Sequence, residues 1–268
     1  MTGPAPGRWA AIDGAPPGLA QRAAPILVGI AAIAAAVALW QGAVEGGYVS
    51  GFMAPAPSDV ARSFPALFTE EGLVRRFFQT FAETFLAAGF AVAIGIPLGW
   101  WLHRKPLAGL AYENWIGGFA GAPLVVAYPL FLVLFGRNTG TIVVMSCLSG
   151  LPAMVLKTKE GLDGTRRVLI NVGLSFNLTP AAMFWKIMLP AAIPAIANGV
   201  RLALIFALIN VVGVEFLINF GGLGELIDDL AQRWELPSMF GAILFVILTS
   251  VAFFWATGKA ERWFRPHG

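Results

Sequence analysis

The sequence predicts an all-α integral membrane protein with six transmembrane helices, and two observations carry this prediction. Of the 268 residues, 57% are hydrophobic and only 12% are charged, which is far more apolar than a soluble domain. The apolar residues also form windows long enough to cross the hydrocarbon core of a bilayer. The predicted spans, with boundaries open by several residues, are 25–41, 77–102, 107–135, 140–157, 190–217 and 238–258.

The segment before the first span, residues 1–24, is rich in proline, glycine and alanine, and we interpret it as a flexible cytoplasmic tail. A secretory signal is the alternative, since Arg22 precedes the apolar run 26–40. The leading region is too long and too broken by proline to favour such a signal. Residues 25–265 are predicted to form a single transmembrane domain.

Prolines interrupt the second and third predicted spans. Pro97, which lies between two glycines, predicts a bend in the second span. Pro123 and Pro129 lie in the third span, where a proline ring leaves backbone carbonyls unpaired. Helices of this kind can form the kinked walls of a transport pathway. A static kink against a neighbouring helix is an equally open alternative for each proline.

Basic residues are distributed unequally between the two sides of the membrane that six spans define. Twelve lysines and arginines fall on the side of the N-terminus and five on the other side, with Arg201 left inside a span. The positive-inside rule therefore predicts that both termini are cytoplasmic. The predicted external loop, residues 219–237, also carries four acidic residues.

The predicted cytoplasmic segment 158–189, between the fourth and fifth spans, has the pattern of two short helices joined by a sharp turn. Thr179 and Pro180 form a helix-start signal, a hydroxyl cap followed by the ring that pre-sets the first turn. Asn177, just before them, is the non-glycine residue best suited to a left-handed turn. Pro190 is then predicted to open the fifth span.

The same segment carries a spaced motif. It has Asn171 and Gly173, then Asn177, then Ile187, then Leu189-Pro190. This spacing resembles the cytoplasmic coupling loop in the permease subunits of binding-protein-dependent ATP-binding-cassette (ABC) importers, most closely the nitrate/sulfonate/taurine branch. Asn171 stands where that family usually has an acidic residue, and Asn177 where it has a glycine. An amphipathic surface loop without this role is the alternative.

The resemblance implies the fold of a type I ABC importer permease, with this loop docked in a groove of an ATPase. The residues assigned to ATPase coupling are Asn171, Gly173, Phe176, Asn177, Thr179, Lys186 and Pro190. The implied partners are two ABC ATPase subunits, a second permease copy forming a homodimer, and an external solute-binding protein, in a bacterial inner membrane. ATP and Mg²⁺ would bind to the ATPase, and no cofactor is expected in this chain.

Nothing in the sequence indicates an enzyme. A phosphate-binding GxxxxGK[ST] motif is missing, so this chain is not predicted to be the ATPase. His103 and His267 both fall at the predicted cytoplasmic face, and Cys147 lies in an apolar segment where packing is its expected role. The net charge of +3 is small and unevenly distributed. It is therefore interpreted as a signal for the orientation of the chain in the membrane and not for nucleic-acid binding.

Arg201 is the most informative polar residue, because it is predicted near the middle of the fifth span. A charge there costs about 2.5–3.5 kcal/mol on insertion scales. Helical periodicity places Asn198 and Glu215 on the same broad face. The residues assigned to the translocation pathway or to a permease interface are Pro123, Pro129, Asn198, Arg201 and Glu215. A structural arginine paired with Glu83 or Glu113 of another helix is the alternative.

The predicted function is the permease subunit of an ATP-driven uptake system that works by alternating access. One buried arginine in each of two subunits favours a small anion, such as nitrate, taurine or another sulfonate. An ion-gradient-driven secondary transporter is the main rival, although internal repeats and acidic midplane sites are not evident. A membrane assembly protein without a transport path is a second rival.

Overall fold

In the computed structural model, which describes residues 19–52 and 54–263, all regular structure of the described chain is helical. Of the predicted tail 1–24, residues 1–18 lie outside the described residues, whereas 19–24 already belong to the first helix. The helices are α1 (Leu19–Glu45), α2 (Pro57–Thr69), α3 (Leu73–Arg104), α4 (Pro106–Gly121), α5 (Tyr128–Phe135), α6 (Thr139–Asp163), α7 (Arg167–Ser175), α8 (Pro180–Met183), α9 (Leu189–Ile218), α10 (Gly222–Gln232) and α11 (Leu236–Trp263). A 3₁₀ turn, Leu124–Ala127, precedes α5, and a π-helical turn, Phe184–Met188, joins α8 to α9.

Five helical segments of the described chain are long and apolar enough to cross a membrane, and the pair α4–α5 makes a sixth if it counts as one span. This pair is the third predicted span, and it is bent by 82°. The bend lies at Ala122, whose backbone is extended (φ −74°, ψ 133°) because the following Pro123 disfavours the helical conformation there. The third span, which was predicted to be kinked, is therefore a broken helix.

The contacts of the neighbouring helices show that α4–α5 carries the chain from one end of the bundle to the other. At the start of α6, Thr139 Oγ1 donates a hydrogen bond to Glu83 of α3 at 3.2 Å. At the end of α6, Asp163 contacts His103, which is twenty residues further along α3. Since α3 and α6 run in the same direction, the chain between them has to return across the bundle.

The core of the bundle is formed by α3, α6 and α9, which approach closely through small residues. A Cβ at Gly99 would lie 2.6 Å from the carbonyl oxygen of Val155, and one at Gly150 would lie 2.9 Å from that of Ala203. Small residues of this kind let transmembrane helices pack backbone to backbone. Cys147 is buried in this core, in agreement with its predicted packing role.

The predicted external loop 219–237 contains a helix. Asn219 (φ 50°), Gly221 (φ 73°) and Gly222 (φ 76°) reverse the chain after α9, and α10 then folds back as an amphipathic helix. Three leucines of α10 at helical spacing are buried against α2, α3 and α11. They are Leu223, Leu226 and Leu230. We refer to this end of the bundle as the α10 end and to the opposite end as the α7–α8 end.

Of the described residues, those up to Arg62 form a compact unit of their own. Within it, the side chain of Gln41 on α1 donates to Ser58 Oγ at 3.0 Å and accepts from the Ser58 backbone N–H at 3.1 Å. The apolar window Leu27–Glu45 of α1 has no buried residues in this chain.

Candidate functional site

The predicted turn between two short helices is present at the α7–α8 end. Asn177 adopts the left-handed conformation with φ 49°. Its N–H donates to the Leu174 carbonyl at 2.9 Å, and the N–H of Leu178 donates to the Gly173 carbonyl at 3.1 Å. These two bonds form a Schellman motif, which satisfies carbonyl groups at the end of α7. The prediction of a sharp turn at Asn177 is confirmed.

The predicted helix start after this turn is also confirmed. Thr179 Oγ1 accepts a hydrogen bond from the Ala182 N–H at 3.2 Å, and Pro180 occupies the first helical position. Pro190 lies in the first turn of α9, as predicted, and the chain runs from α8 through the π turn into α9 without a loop. A proline ring clashes with the carbonyl four residues earlier, and the wider π turn before Pro190 gives the ring room.

Gly173 determines how α7 sits against α8. A Cβ at this position would lie 2.6 Å from Met183 Sδ and 2.7 Å from Ile187 Cδ1. Met183 is buried by this contact, so its side chain is not available to a partner. Asn171 and Lys186 are exposed on the surface of the same segment.

Large apolar side chains project from this segment into solvent. Phe176 is 76% exposed, Trp185 66% and Leu174 60%. We call the exposed set the coupling patch, and it consists of Val168, Leu169, Val172, Leu174, Phe176 and Trp185. Contiguous exposed apolar surface of this kind marks a protein–protein or membrane interaction site.

Arg201 has a partner that the sequence did not suggest. Its Nη1 lies 3.0 Å from Glu261 Oε2, so neither Glu83 nor Glu113 neutralises it. Arg201 lies in the middle third of α9 (Leu189–Ile218), whereas its partner Glu261 lies in the last turn of α11. An acidic residue among the basic residues after the last predicted span was the signal that could have identified it. The Glu261 side chain is only 4% exposed, whereas the Arg201 side chain is 35% exposed, so the carboxylate is buried and the guanidinium partly accessible.

Glu215 is fully buried at the α10 end. Thr80 Oγ1 lies 2.8 and 2.9 Å from its two carboxylate oxygens, and Gly224 N–H donates to Oε2 at 2.9 Å. Thr80 Oγ1 in turn accepts from the Leu223 N–H at 2.8 Å. A Cβ at Gly222 would overlap Glu215 Oε1. We call this arrangement the Glu215 clasp, and it ties the first turn of α10 to α3 and α9.

Glu83 lies beside the Glu215 clasp, on the same helix as Thr80. Its Oε1 accepts from Thr139 at 3.2 Å and from Gln79 at 3.3 Å. Sequence reasoning did not single out Thr80 or Gln79. Polar residues spaced three and four apart in the apolar α3 were the available signal.

The five residues assigned to a pathway or a permease interface occupy three separate places. Arg201 and Asn198 lie on the part of α9 near α11, whereas Glu215 lies at the other end of α9. Pro123 and Pro129 are exposed at the break between α4 and α5. The hydrophobic residues around this break pack against Val211 and Val214 of α9.

Two ion pairs fix α10 and the residue that follows it, one to the first turn of α3 and one to Glu71, just before α3. Arg76 Nη1 lies 2.7 Å from Glu225 Oε2, and Arg233 Nη2 lies 2.7 Å from Glu71 Oε2. The hydrogen bond from Arg233 lowers the pKa of the Glu71 carboxyl group. Within residues 19–52 and 54–263, no three His, Cys, Asp or Glu side chains are grouped as metal ligands.

A helical bundle with five or six candidate spans defines the class of all-helical polytopic membrane proteins. The chain belongs to the family of binding-protein-dependent transport system inner membrane components, which matches residues 63–266. All the clusters described above between α3 and α11 lie inside this range.

Relatives in this family are named for different solutes. The glycine betaine/proline betaine transport system permease protein ProW of Escherichia coli (strain K12) is 33% identical over 148 residues, which is 55% of this chain and 42% of ProW. SsuC of Bacillus subtilis (strain 168), named for aliphatic sulfonates transport, is 25% identical over 79% of this chain and 77% of its own length. The bicarbonate transport system permease protein CmpB of Synechocystis sp. (strain PCC 6803) is 25% identical over 63% of this chain and 62% of its own length.

The chain therefore spans less than half the length of ProW. Among solved structures, a chain of the inward-facing MetNI methionine ABC transporter superimposes with a TM-score of 0.63 at 20% identity. The match covers 76% of this chain and 99% of that one. The likeness shows that the two chains share a fold, that of a type I ABC importer permease.

Proposed function

We propose that this chain is the permease subunit of an ATP-driven ABC importer and that the segment 158–189 couples it to an ATPase. The observation that carries the proposal is the rigid segment at the α7–α8 end, with the coupling patch exposed on it. The Schellman motif at Asn177, the Thr179 cap and the contact at Gly173 hold this segment in one shape. A protruding segment with exposed apolar side chains can dock into a groove on a partner protein.

The continuity of α8 with α9 supports a direct transmission of motion. No loop separates the two, so a displacement of α8 by the ATPase would move the start of α9 with it. The other end of α9 is tied to α3 and α10 by the Glu215 clasp. In this proposal, closure of two ATPase subunits on ATP is converted into a movement of α9 that alternates access to the two sides.

The break between α4 and α5 supports a second permease copy. Irregular backbone at membrane depth is tolerated only where protein or a water-filled cavity covers it. Ala122 and Pro123 are exposed in the single chain, and Leu130, Val133 and Leu134 of α5 are 60–85% exposed. We therefore place the interface of a homodimer, or the pathway between its two copies, at Pro123 and Pro129.

The solute is proposed to be a small anion that an external binding protein delivers. The support is the similarity to SsuC and CmpB, whose printed solutes, sulfonates and bicarbonate, are anions. Arg201 adds little to this proposal, because Glu261 neutralises its charge. The test is ATP hydrolysis by the reconstituted complex with its binding protein and nitrate, taurine, an alkane sulfonate, bicarbonate or glycine betaine. Stimulation by the betaine alone would overturn the anion proposal.

The coupling proposal predicts the effect of removing the most exposed ring of the coupling patch. Phe176→Ala should lose about 1–2 kcal/mol of contact with the ATPase, which is roughly a tenfold weaker association. The measurement is recovery of the co-expressed ATPase with tagged permease from detergent. Phe220→Ala, which changes an exposed phenylalanine near the α10 end, is the matched control. Equal recovery with both variants would show that this segment does not couple to the ATPase.

A further inference from the structure

A large apolar cavity lies at the α7–α8 end, between α3 and the segment that begins at Thr179. It has a volume of about 920 Å³ and lies between the last turns of α3 and the helical segment from α8 through the π turn. Ile96, Pro97 and Trp100 form one wall, and Phe184 and Met188 form the other. This volume is within the range of cavities that bind small molecules and cofactors.

Aromatic side chains shape the cavity. The ring centroids of Trp100 and Phe184 are 5.8 Å apart, and those of Phe184 and Trp185 are 5.4 Å apart. Phe184 and Trp185 both belong to the π turn, which changes the directions of side chains relative to an α-helix. Single π turns of this kind occur often at functional sites.

One cationic group lies on the wall of this cavity without an acidic partner. The Arg104 guanidinium is 5.5 Å from the centre of the Trp100 ring, and no carboxylate of the described residues forms an ion pair with it. The neighbouring His103, by contrast, is engaged by Asp163. The cavity is therefore apolar along its length and has an unneutralised cation at one position.

The position of Arg104 along α3 sets the depth of the cavity in a membrane. The helix is apolar from Phe85 to Leu102 and becomes basic at His103 and Arg104, with Trp100 and Trp101 one turn before. Tryptophan and basic residues at the end of a spanning helix mark the boundary between acyl chains and headgroups. The apolar part of the cavity thus lies at the level of acyl chains, and Arg104 lies at the level of lipid phosphates.

We propose that this cavity binds an anionic phospholipid, with the phosphate on Arg104 and an acyl chain between α3 and the π turn. The long apolar wall excludes a hydrated solute, and the unpaired guanidinium favours a negative headgroup. Arginine binds a phosphate through charge-assisted hydrogen bonds, which are stronger than neutral ones. The inference does not depend on the identity of the ATPase or of the solute.

The test is native mass spectrometry of the detergent-purified full chain, titrated separately with dioleoyl phosphatidylglycerol and dioleoyl phosphatidylcholine. The wild-type chain should retain phosphatidylglycerol in preference to phosphatidylcholine. Arg104→Gln should weaken retention of phosphatidylglycerol about tenfold, the loss expected for one charge-assisted hydrogen bond. Arg137→Gln, an exposed arginine at the α10 end, is the matched control and should behave as wild type.

A second variant tests the apolar part of the cavity without a change of charge. Ala181 lines the cavity and is exposed, so Ala181→Trp should occupy its mouth and reduce lipid retention while the protein remains folded. Glycerol phosphate, which has the anionic group without acyl chains, should not compete. Retention that is unchanged in both Arg104→Gln and Ala181→Trp would overturn the proposal. A disulfide between two copies that each carry Ala181→Cys would also overturn it, since a second permease would then cover the cavity.

Discussion

At the scale of single residues, a comparison of Gly47 with Gly222 distinguishes the cost of backbone strain from the contribution of the Glu215 clasp to stability. Gly47 (φ 73°) and Gly222 (φ 76°) have nearly the same positive φ. Nothing lies within 4 Å of a Cβ at Gly47, whereas a Cβ at Gly222 would overlap the carboxylate of Glu215. The two positions therefore differ in what surrounds them and not in the conformation they require.

This difference gives a prediction for the clasp. Gly47→Ala should cost about 1–2 kcal/mol, the usual cost of a left-handed alanine. Gly222→Ala should cost about 1–3 kcal/mol more, because Glu215 has to leave Thr80 and Gly224 to make room. The measurement is the thermal unfolding midpoint of each variant in detergent. Equal shifts for the two variants would mean that the clasp adds no stability.

A second prediction at this scale concerns Glu71 and pH. Because Arg233 lowers the pKa of Glu71 in the folded state, the pair stabilises the fold above the usual glutamate value of 4.5. That contribution is lost as pH falls through the lower folded-state pKa. Arg233 is partly exposed, so the contribution at pH 7 should be below about 1 kcal/mol.

The measurement is the unfolding midpoint of wild type and Glu71→Gln as a function of pH. The wild type should be the more stable protein at pH 7, and the gap should close as the solution is acidified below 4.5. A gap that is the same at neutral and strongly acidic pH would show that the pair has no electrostatic role. Glu70→Gln, which changes the exposed neighbouring glutamate, is the matched control.

At the scale of helices, the features that depend on local sequence were predicted correctly, whereas those that depend on tertiary contacts were not. The turn at Asn177 and the cap at Thr179 depend on the conformational preferences of one or two residues, so the sequence alone was sufficient to predict them. The helix α10 was predicted as a loop because its apolar face is only three leucines wide, among acidic residues and glycines. Its burial against Leu67 and Leu73 depends on residues about 150 positions away in the chain.

Prediction of the candidate site from the sequence was limited in the same way. Helical periodicity placed Arg201 and Glu215 on one face, but it could not identify Glu261 or Thr80 as their partners, because these lie on other helices. The break at Pro123 was predicted only as a kink, since the sequence does not determine the angle. The π turn before Pro190 had no sequence signal that we recognised.

The left-handed turn at Asn177 gives a prediction about docking to the ATPase. Asn177→Gly should keep the association with the ATPase, because glycine adopts φ 49° without a steric cost. Asn177→Val should weaken the association, because a β-branched residue makes this conformation unfavourable by about 1–2 kcal/mol or more. The measurement is ATPase recovery from detergent, with the thermal midpoint of each permease as a control for folding. Equal recovery with glycine and valine would show that the left-handed turn does not matter for docking.

At the scale of the whole molecule, the two ends of the bundle differ in composition and contacts. The α7–α8 end has the coupling patch and the basic ends of α3 and α11, whereas the α10 end has the acidic residues of α10. If the bent pair α4–α5, which returns the chain from one end of the bundle to the other, counts as one span, the chain crosses the membrane six times. Six crossings place Lys105 and Lys159 on one side, with Arg137 and Asp228 on the other.

The topology prediction follows from this arrangement and from the positive-inside rule. In a chain with Cys147→Ala, single cysteines at positions 105 and 159 should react with a membrane-impermeant maleimide only after the cells are opened. Cysteines at positions 137 and 228 should react in intact cells. Position 137 decides between five and six spans, because a re-entrant α4–α5 would leave it on the same side as position 105. Labelling of positions 159 and 228 from the same side would contradict the whole arrangement.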